Sequence, residues 1–174
     1  MKGVYCIRTI VEGVPDMADD FSTDNMLDMY LYENGQLLEQ LEEIVLENKD
    51  EDSFDENNIN EIFRIMHTIK GSSGVMKYDD IMKTSHKLED IFYFLRENRN
   101  VEEHHMELTE IIFRVLDFIN GEMDKIKDGN DPDGDSSELI ADMEKFLAGL
   151  KDNKQAPQAV SYTHLRAHET LANL

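Results

Sequence analysis

Apolar residues recur at intervals of three and four along most of the chain, which is the spacing of helices that bury one face. This pattern predicts a first long helix that begins near Ser22 or Thr23, either of which is a good N-cap. It predicts a second helix over 56–75, a third over 78–98 and a fourth over 103–127. No window shows the strict alternation that a half-buried strand would need. The chain is therefore predicted to be all-α.

The segments between the predicted helices are polar and mostly short. Residues 48–58 are acidic, and residues 128–137 are rich in Asp, Gly and Ser, so both are predicted to be loops. Asp135 and Glu138 form a capping pair for a fifth helix. Because helices joined by few residues run antiparallel, we expect an antiparallel up-down four-helix bundle with an additional fifth C-terminal helix. The positions expected to face inward are Leu27, Tyr30, Asn34, Leu37, Leu38, Leu41, Val45, Ile59, Ile62, Met66, Ile69, Ser73, Ile81, Ser85, Leu88, Phe92, Leu95, Leu108, Ile111, Ile112, Val115, Phe118, Ile119, Glu122, Ile126, Leu139, Met143, Phe146, Leu147 and Leu150.

The ends of the chain differ in composition from the predicted bundle. All of the acidic excess falls in residues 17–150, which we take as the domain, and 151–159 is a polar linker. Residues 1–16 are interpreted as an N-terminal extension that is not native, because Met17 is a plausible natural start. Residues 160–174 are similar to the translated read-through of a sequencing adapter. We expect this tail to be artefactual and its two histidines to have no function.

The overall charge narrows the classes of partner. The sequence has 38 acidic and 17 basic residues, a formal net charge of −21, which argues against binding to nucleic acid or to an anionic membrane. No apolar run reaches the roughly 20 residues of a membrane-spanning helix, so no membrane insertion is expected. A signal peptide is not expected either. The single cysteine, Cys6, permits no internal disulfide. These features predict a cytoplasmic protein.

The second predicted helix carries an unusual histidine in the stretch H-T-I-K-G-S-S-G, residues 67–74. His67 lies on the flank of the apolar stripe, and Lys70 follows one turn later on the same side. Gly71 and Gly74 lie beside the histidine on the helix surface. A glycine within a helix costs roughly 1 kcal/mol relative to alanine, so a compensating role is expected. We interpret the two glycines as a surface that another protein can approach closely. The ammonium of Lys70 provides a cation there that can bind an anion.

The third predicted helix offers a partner for this histidine. His86, Glu89 and Tyr93 share one flank, off the apolar stripe. If the second and third helices pack antiparallel, this flank can face His67 and Lys70. A carboxylate that accepts the Nδ1–H of an imidazole leaves Nε2 with its lone pair outward and makes it a better nucleophile.

Two motifs could suggest a metal site, and neither is convincing. The adjacent His104 and His105 cannot share a helix face, so we expect exposed residues near a helix start. The acidic stretch within 128–137 begins like a calcium loop, but it has serine and aspartate where the glycine and the closing glutamate belong. We predict a solvated linker there, and no metal site.

The stretch H-T-I-K-G-S-S-G, followed on the next helix by S-H-K-L-E-D, resembles a histidine-phosphotransfer (HPt) domain. More narrowly, residues 20–150 resemble the N-terminal domain of CheA-type chemotaxis histidine kinases. The resemblance implies that His67 is phosphorylated, that Lys70 lies by the phosphoryl group and that Glu89 hydrogen-bonds the imidazole. It implies that His86 belongs to the same polar cluster.

Other positions either match or depart from this family pattern. Gly71 and Gly74 match its small residues beside the histidine and are expected to form a partner surface. Asn34 and Gly35 depart from it, which puts the packing of the first helix in doubt.

The resemblance also implies a function. His67 would accept a phosphoryl group from the ATP-binding domain of a histidine kinase and pass it to an aspartate of a CheY-like response regulator. The chain has no G-x-x-x-x-G-K-[ST] or G-x-G-x-x-G motif. We therefore expect no cofactor in this chain, with ATP and Mg²⁺ held by partner domains. It would be a fragment of a kinase rather than a kinase itself. The alternatives are a free-standing phosphorelay protein and, in another class, a structural or metal-binding helical bundle.

Overall fold

A computed structural model of the chain describes residues 17–98 and 104–155, with side chains for 25–98 and 104–152. The predictions for 1–16 and 160–174 lie outside these residues. Within them the regular structure is entirely helical, which confirms the all-α prediction. The helices are α1 (Met17–Asn48), α2 (Glu56–Met76), α3 (Asp79–Glu97), α4 (His105–Lys127) and α5 (Ser137–Gln155).

The first four helices form the predicted bundle. The helix α1 packs against α2 and α4, and α3 also packs against α2 and α4. Each helix therefore contacts its neighbours along the chain, and the contact of α1 with α4 closes the bundle. The helix α5 packs against α3 and α4 and adds to the outside of the bundle. The architecture is therefore the expected four-helix bundle with a fifth C-terminal helix.

Local sequence fixes both ends of α2. Asp55 is its N-cap and accepts a hydrogen bond from the backbone N–H of Asn58 at 2.7 Å. At the other end Lys77 adopts a left-handed conformation, with φ of 62°. The N–H of Lys77 donates to the carbonyl of Gly74, and the N–H of Tyr78 donates to that of Ser73. This is a Schellman motif, which stops the helix and turns the chain into α3.

The predicted start of α1 is wrong. The helix begins at Met17, so Ser22 and Thr23 lie within it and do not cap it. Residues 17–24 contain neither glycine nor proline, and Pro15 lies just before them. A good capping residue does not end a helix when the preceding residues can also be helical.

The core follows the predicted stripes closely. Most of the expected inward positions are buried, and Leu27, Leu37, Ile59 and Phe118 are partly buried at its border. One end of the bundle is closed by Phe54, whose ring packs edge-on against Phe92 at 6.1 Å between centroids. The burial of one face on each helix accounts for the bundle.

The prediction for His105 is also wrong. It was expected to be exposed, but only 6% of its surface is accessible. Its ring lies 4.6 Å from that of Phe54, and its Nε2–H donates to the carbonyl oxygen of Asn48 at 2.9 Å. The connection between α1 and α2 folds over the start of α4, and sequence periodicity cannot show this.

Asn34, which departs from the family pattern, is satisfied by a buried polar seam between α1 and α2. Its Nδ2 donates to the carbonyl of Tyr30 at 2.7 Å, and its Oδ1 accepts from the Ser72 hydroxyl at 2.9 Å. The Tyr30 hydroxyl lies 3.0 Å from Ser73 Oγ. Burial raises the pKa of Tyr30 to about 12, so the phenol stays protonated. A side chain added at Gly35 would meet no atom within 4 Å. Packing is thus intact at Asn34, and Gly35 faces open space.

The loop before α5 is exposed at Asp131, Asp133 and Asp135, as predicted, and it is also tied to the bundle. Glu122 is buried, and its carboxylate accepts from the Gly134 N–H at 2.9 Å and from Lys125 Nζ at 2.8 Å. Lys125 also donates to Asp133 at 2.8 Å, and the two hydrogen bonds, to Asp133 and to Glu122, raise the pKa of Lys125. At the start of α5, Asp135 accepts from the backbone N–H of Ser137. The loop is therefore part of the fold.

This loop gives a stability prediction. A methyl group at Gly134 would lie 2.6 Å from Glu122 Cδ, so we expect Gly134→Ala to lower the free energy of unfolding by about 1–3 kcal/mol. Urea denaturation measures this. The matched control is Gly149→Ala in α5, where the new methyl meets nothing within 4 Å, and it should not destabilise the protein. An unchanged urea midpoint for Gly134→Ala would contradict the prediction.

Candidate functional site

His67 and Glu89 meet where α2 packs against α3. Nδ1 of His67 lies 2.8 Å from Oε1 of Glu89. The histidine side chain is 63% exposed, whereas that of Glu89 is 10% exposed. Because an ionised carboxylate can only accept, Nδ1 carries the proton. The lone pair of a neutral His67 ring therefore resides on Nε2.

Lys70 completes a three-residue group around one carboxylate. Its Nζ lies 2.5 Å from Oε2 of Glu89, so each carboxylate oxygen faces a different basic side chain. Burial raises the pKa of Glu89, but hydrogen bonds from His67 and Lys70 and their charges outweigh it and hold the pKa below its ordinary value of 4.5. Glu89 is thus an anion at neutral pH and a fixed acceptor.

His86 does not join this group. Its Nε2 lies 3.7 Å from Oδ1 of Asp90, one turn further along α3, and its side chain is 59% exposed. Lys87 contacts the same Asp90 at 3.6 Å. Among the described contacts His86 has no hydrogen bond to His67, Lys70 or Glu89. The expectation of one shared polar cluster is not met, because both oxygens of Glu89 are already engaged and His86 faces Asp90 instead.

The two glycines have different surroundings. A side chain at Gly71 would meet no atom within 4 Å, so the backbone beside His67 is open to the outside. A Cβ at Gly74 would lie 3.5 Å from the sulfur of Met82 on α3, which is ordinary contact. The prediction of a partner surface fits Gly71 better than Gly74, and it stays a prediction for both.

Sequence reasoning missed the ring that packs against His67. Phe63 was not among the positions singled out from the sequence, and its ring lies 6.1 Å from the imidazole at an interplanar angle of 24°. Arg96 places its guanidinium carbon 4.2 Å above the Phe63 ring and 5.2 Å from that of Tyr93. We call Phe63, Tyr93 and Arg96 the aromatic–arginine cluster. The i,i+4 spacing of Phe63 and His67 was the available signal.

The arrangement suits nucleophilic chemistry at Nε2 more than metal binding. No group of three or more His, Cys, Asp or Glu side chains is poised for a metal ion in the described parts of the chain. No helix within 17–98 or 104–155 is long and apolar enough to cross a membrane. The site is one exposed imidazole, oriented by a buried carboxylate, with an ammonium one turn away.

Comparison with known proteins gives a family and a set of relatives. The family model described as the Hpt domain matches residues 25–128, which covers most of α1 and all of α2 to α4. The chemotaxis protein CheA of Listeria monocytogenes serovar 1/2a is 30% identical over 125 residues, which are 72% of this chain and 20% of that protein. CheA of Bacillus subtilis strain 168 is 31% identical over 122 residues, 68% of this chain and 17% of that protein. The chain thus spans about a fifth of the length of these relatives.

A solved structure has the same fold. The phosphorylated P1 domain of CheA3, in complex with CheY6 from R. sphaeroides, superposes with a TM-score of 0.64. The two chains are 22% identical in sequence, and the match covers 73% of this chain and 98% of that one.

Proposed function

Because the chain belongs to the Hpt domain family, we propose that it is the phosphotransfer module of a CheA-like chemotaxis histidine kinase. In this proposal His67 accepts a phosphoryl group from an ATP-bound kinase domain and passes it to an aspartate of a CheY-like response regulator. The observation that carries the proposal is the 2.8 Å contact between His67 Nδ1 and Glu89, which leaves an exposed Nε2 as the nucleophile. The similarity to CheA proteins supports the chemotaxis assignment.

The geometry accounts for both transfer steps. In the first, the lone pair of Nε2 forms a bond to the γ-phosphorus while the bond from phosphorus to the leaving oxygen of ADP breaks. The ring becomes cationic, and Glu89 stabilises it through the Nδ1–H. In the second, an aspartate oxygen of the regulator forms a bond to phosphorus as the N–P bond breaks and the ring returns to neutral.

Lys70 supplies one positive charge for the transfer, and the partner domains supply the ATP and Mg²⁺. Phosphoryl transfer depends mainly on positioning and on stabilisation of the charge on the phosphoryl oxygens. The ammonium of Lys70, one turn from His67, can share its charge between Glu89 and the phosphoryl group. The ATP and Mg²⁺ belong to partner domains in this proposal, and the module works in the cytoplasm, where such kinases meet their regulators.

Labelling by a kinase tests the proposal. The protein is incubated with an active CheA-type kinase domain and ATP labelled at the γ-phosphate. We expect acid-labile, base-stable label on the native chain and none on His67→Gln. His86→Gln is the matched control, because it removes an exposed histidine of the next helix, and it should still be labelled. Equal labelling of the native chain and His67→Gln would overturn the site, and absence of label from all three would overturn the proposed donor.

The alternatives predict different results in related assays. A free-standing phosphorelay protein would take its phosphoryl group from a phosphorylated receiver domain and would not be labelled by the kinase domain. A metal-binding bundle would gain melting temperature on metal titration, because a ligand of the native state stabilises it.

A further inference from the structure

The hydrogen bond to Glu89 alone does not hold the His67 ring in one plane. The side chain is 63% exposed, and one contact at Nδ1 leaves the imidazole able to pivot about the line from Nδ1 to the carboxylate. Such a pivot would change the direction of the Nε2 lone pair. Because phosphoryl transfer needs the attacking and leaving atoms in line, a second contact on the ring would matter for the rate.

Phe63 provides that second contact. Its ring is nearly parallel to the imidazole, with an interplanar angle of 24° and centroids 6.1 Å apart. Phe63 lies one turn before His67 on α2, so the two rings are neighbours on the helix surface. The ring of Phe63 bounds the imidazole in a direction that the Glu89 hydrogen bond does not.

Phe63 is itself held from α3. The Arg96 guanidinium carbon is 4.2 Å from the centroid of the Phe63 ring, within the range of a cation–π contact. Tyr93 adds a second aromatic ring, 6.3 Å from that of Phe63. Arg96 is only 29% exposed, which fits a side chain that packs as well as carries charge. The aromatic–arginine cluster thus connects the two helices that supply His67 and Glu89.

We propose that Phe63 is a positioning residue for His67, and that Arg96 and Tyr93 hold Phe63 in place. Glu89 sets the tautomer of the imidazole, and Phe63 sets its plane, so that Nε2 keeps one outward direction. The consequence for rate rests on the proposed phosphotransfer function. The consequence for the order of the ring does not, and it can be measured on the chain alone.

The experiment compares Phe63→Leu with Phe118→Leu. The control makes the same change at a partly buried phenylalanine of α4. NMR of the His67 side chain reports its couplings about χ1 and χ2, and those about χ2 follow the plane of the ring. The ¹⁵N shifts of the ring nitrogens report the tautomer. We expect Phe63→Leu to average the couplings between rotamers and to slow labelling by the kinase domain about three- to tenfold, as a misplaced nucleophile does. Phe63→Tyr keeps the ring, so its His67 couplings and its labelling rate should stay close to native. Phe118→Leu should change neither the couplings nor the rate.

Arg96→Gln tests the same proposal without altering a partly buried apolar residue. It should loosen the His67 ring in the same direction as Phe63→Leu, by a smaller amount. Unchanged couplings and ring shifts in both variants would overturn the proposal. Should the native chain accept no label, the proposed function fails, while averaged couplings in Phe63→Leu would still support the positioning role.

Discussion

Replacing Glu89 by glutamine is expected to slow phosphorylation of His67 by about 10- to 100-fold, the size of effect found when a carboxylate that orients a metal-binding histidine is lost. The amide can turn either its oxygen or its NH₂ group toward Nδ1, so the tautomer with the lone pair on Nε2 is no longer enforced. The negative charge that stabilises the cationic ring is also gone. Lys70, whose Nζ contacts the same carboxylate, loses its ion-pair partner as well.

Rapid-quench labelling with the kinase domain measures this effect as a rate constant. The matched control is Asp90→Asn, which removes the next carboxylate of α3, the one that pairs with His86 and Lys87 instead. We expect this control to stay close to the native rate. Labelling of Glu89→Gln at the native rate would show that the 2.8 Å hydrogen bond is not needed for the chemistry.

The largest effect on stability is expected for Phe92→Ala, which should lower the free energy of unfolding by about 3–5 kcal/mol. Phe92 has no accessible surface, and its ring meets that of Phe54 at an interplanar angle of 66°. Truncation would remove buried apolar area and leave a cavity where α3 meets the connection that closes the bundle. A loss of this size is a large part of the 5–15 kcal/mol that stabilises a typical domain.

Equilibrium unfolding in urea tests this prediction. Phe94→Ala makes the same substitution on the same helix, so both changes alter helix propensity equally. Phe94 is only partly buried, and we expect it to cost about half as much, since the hydrophobic contribution follows the buried area. Equal losses for the two variants would mean that burial does not set the cost.

The sequence was sufficient for most of the fold because each helix has a continuous apolar stripe. The helices α2 to α4 lie within about two residues of their predicted bounds, the usual margin of helix ends. The start of α1 was missed, since Ser22 and Thr23 suit a cap but nothing before them forces the helix to begin there. His105 was misjudged because its burial depends on the fold of the connection between α1 and α2, which has no period to read.

The candidate site was predictable only in part, for a different reason. Helical periodicity shows which flank a residue occupies, and this was enough to bring Glu89 to His67. It does not show which of several partners a side chain will contact. His86 was therefore expected in the polar cluster of His67, Lys70 and Glu89, whereas its Nε2 lies 3.7 Å from Oδ1 of Asp90. Phe63 was not singled out, although its i,i+4 spacing to His67 was available as a signal. Arg96 was not considered, because a cation beside a ring has no distinctive spacing.

The Schellman turn at Lys77 and Tyr78 has a consequence for how the site tolerates insertions. His67 and Glu89 lie on opposite arms of a helical hairpin, and only these two residues separate the arms. The turn sets the register of α3 against α2. If the turn kept its geometry, one residue added within α3 before Glu89 would rotate the following residues by about 100° around the helix axis. Glu89 would then leave the histidine although every residue of the site remained, so the spacing between this turn and Glu89 is as much a part of the site as the side chains.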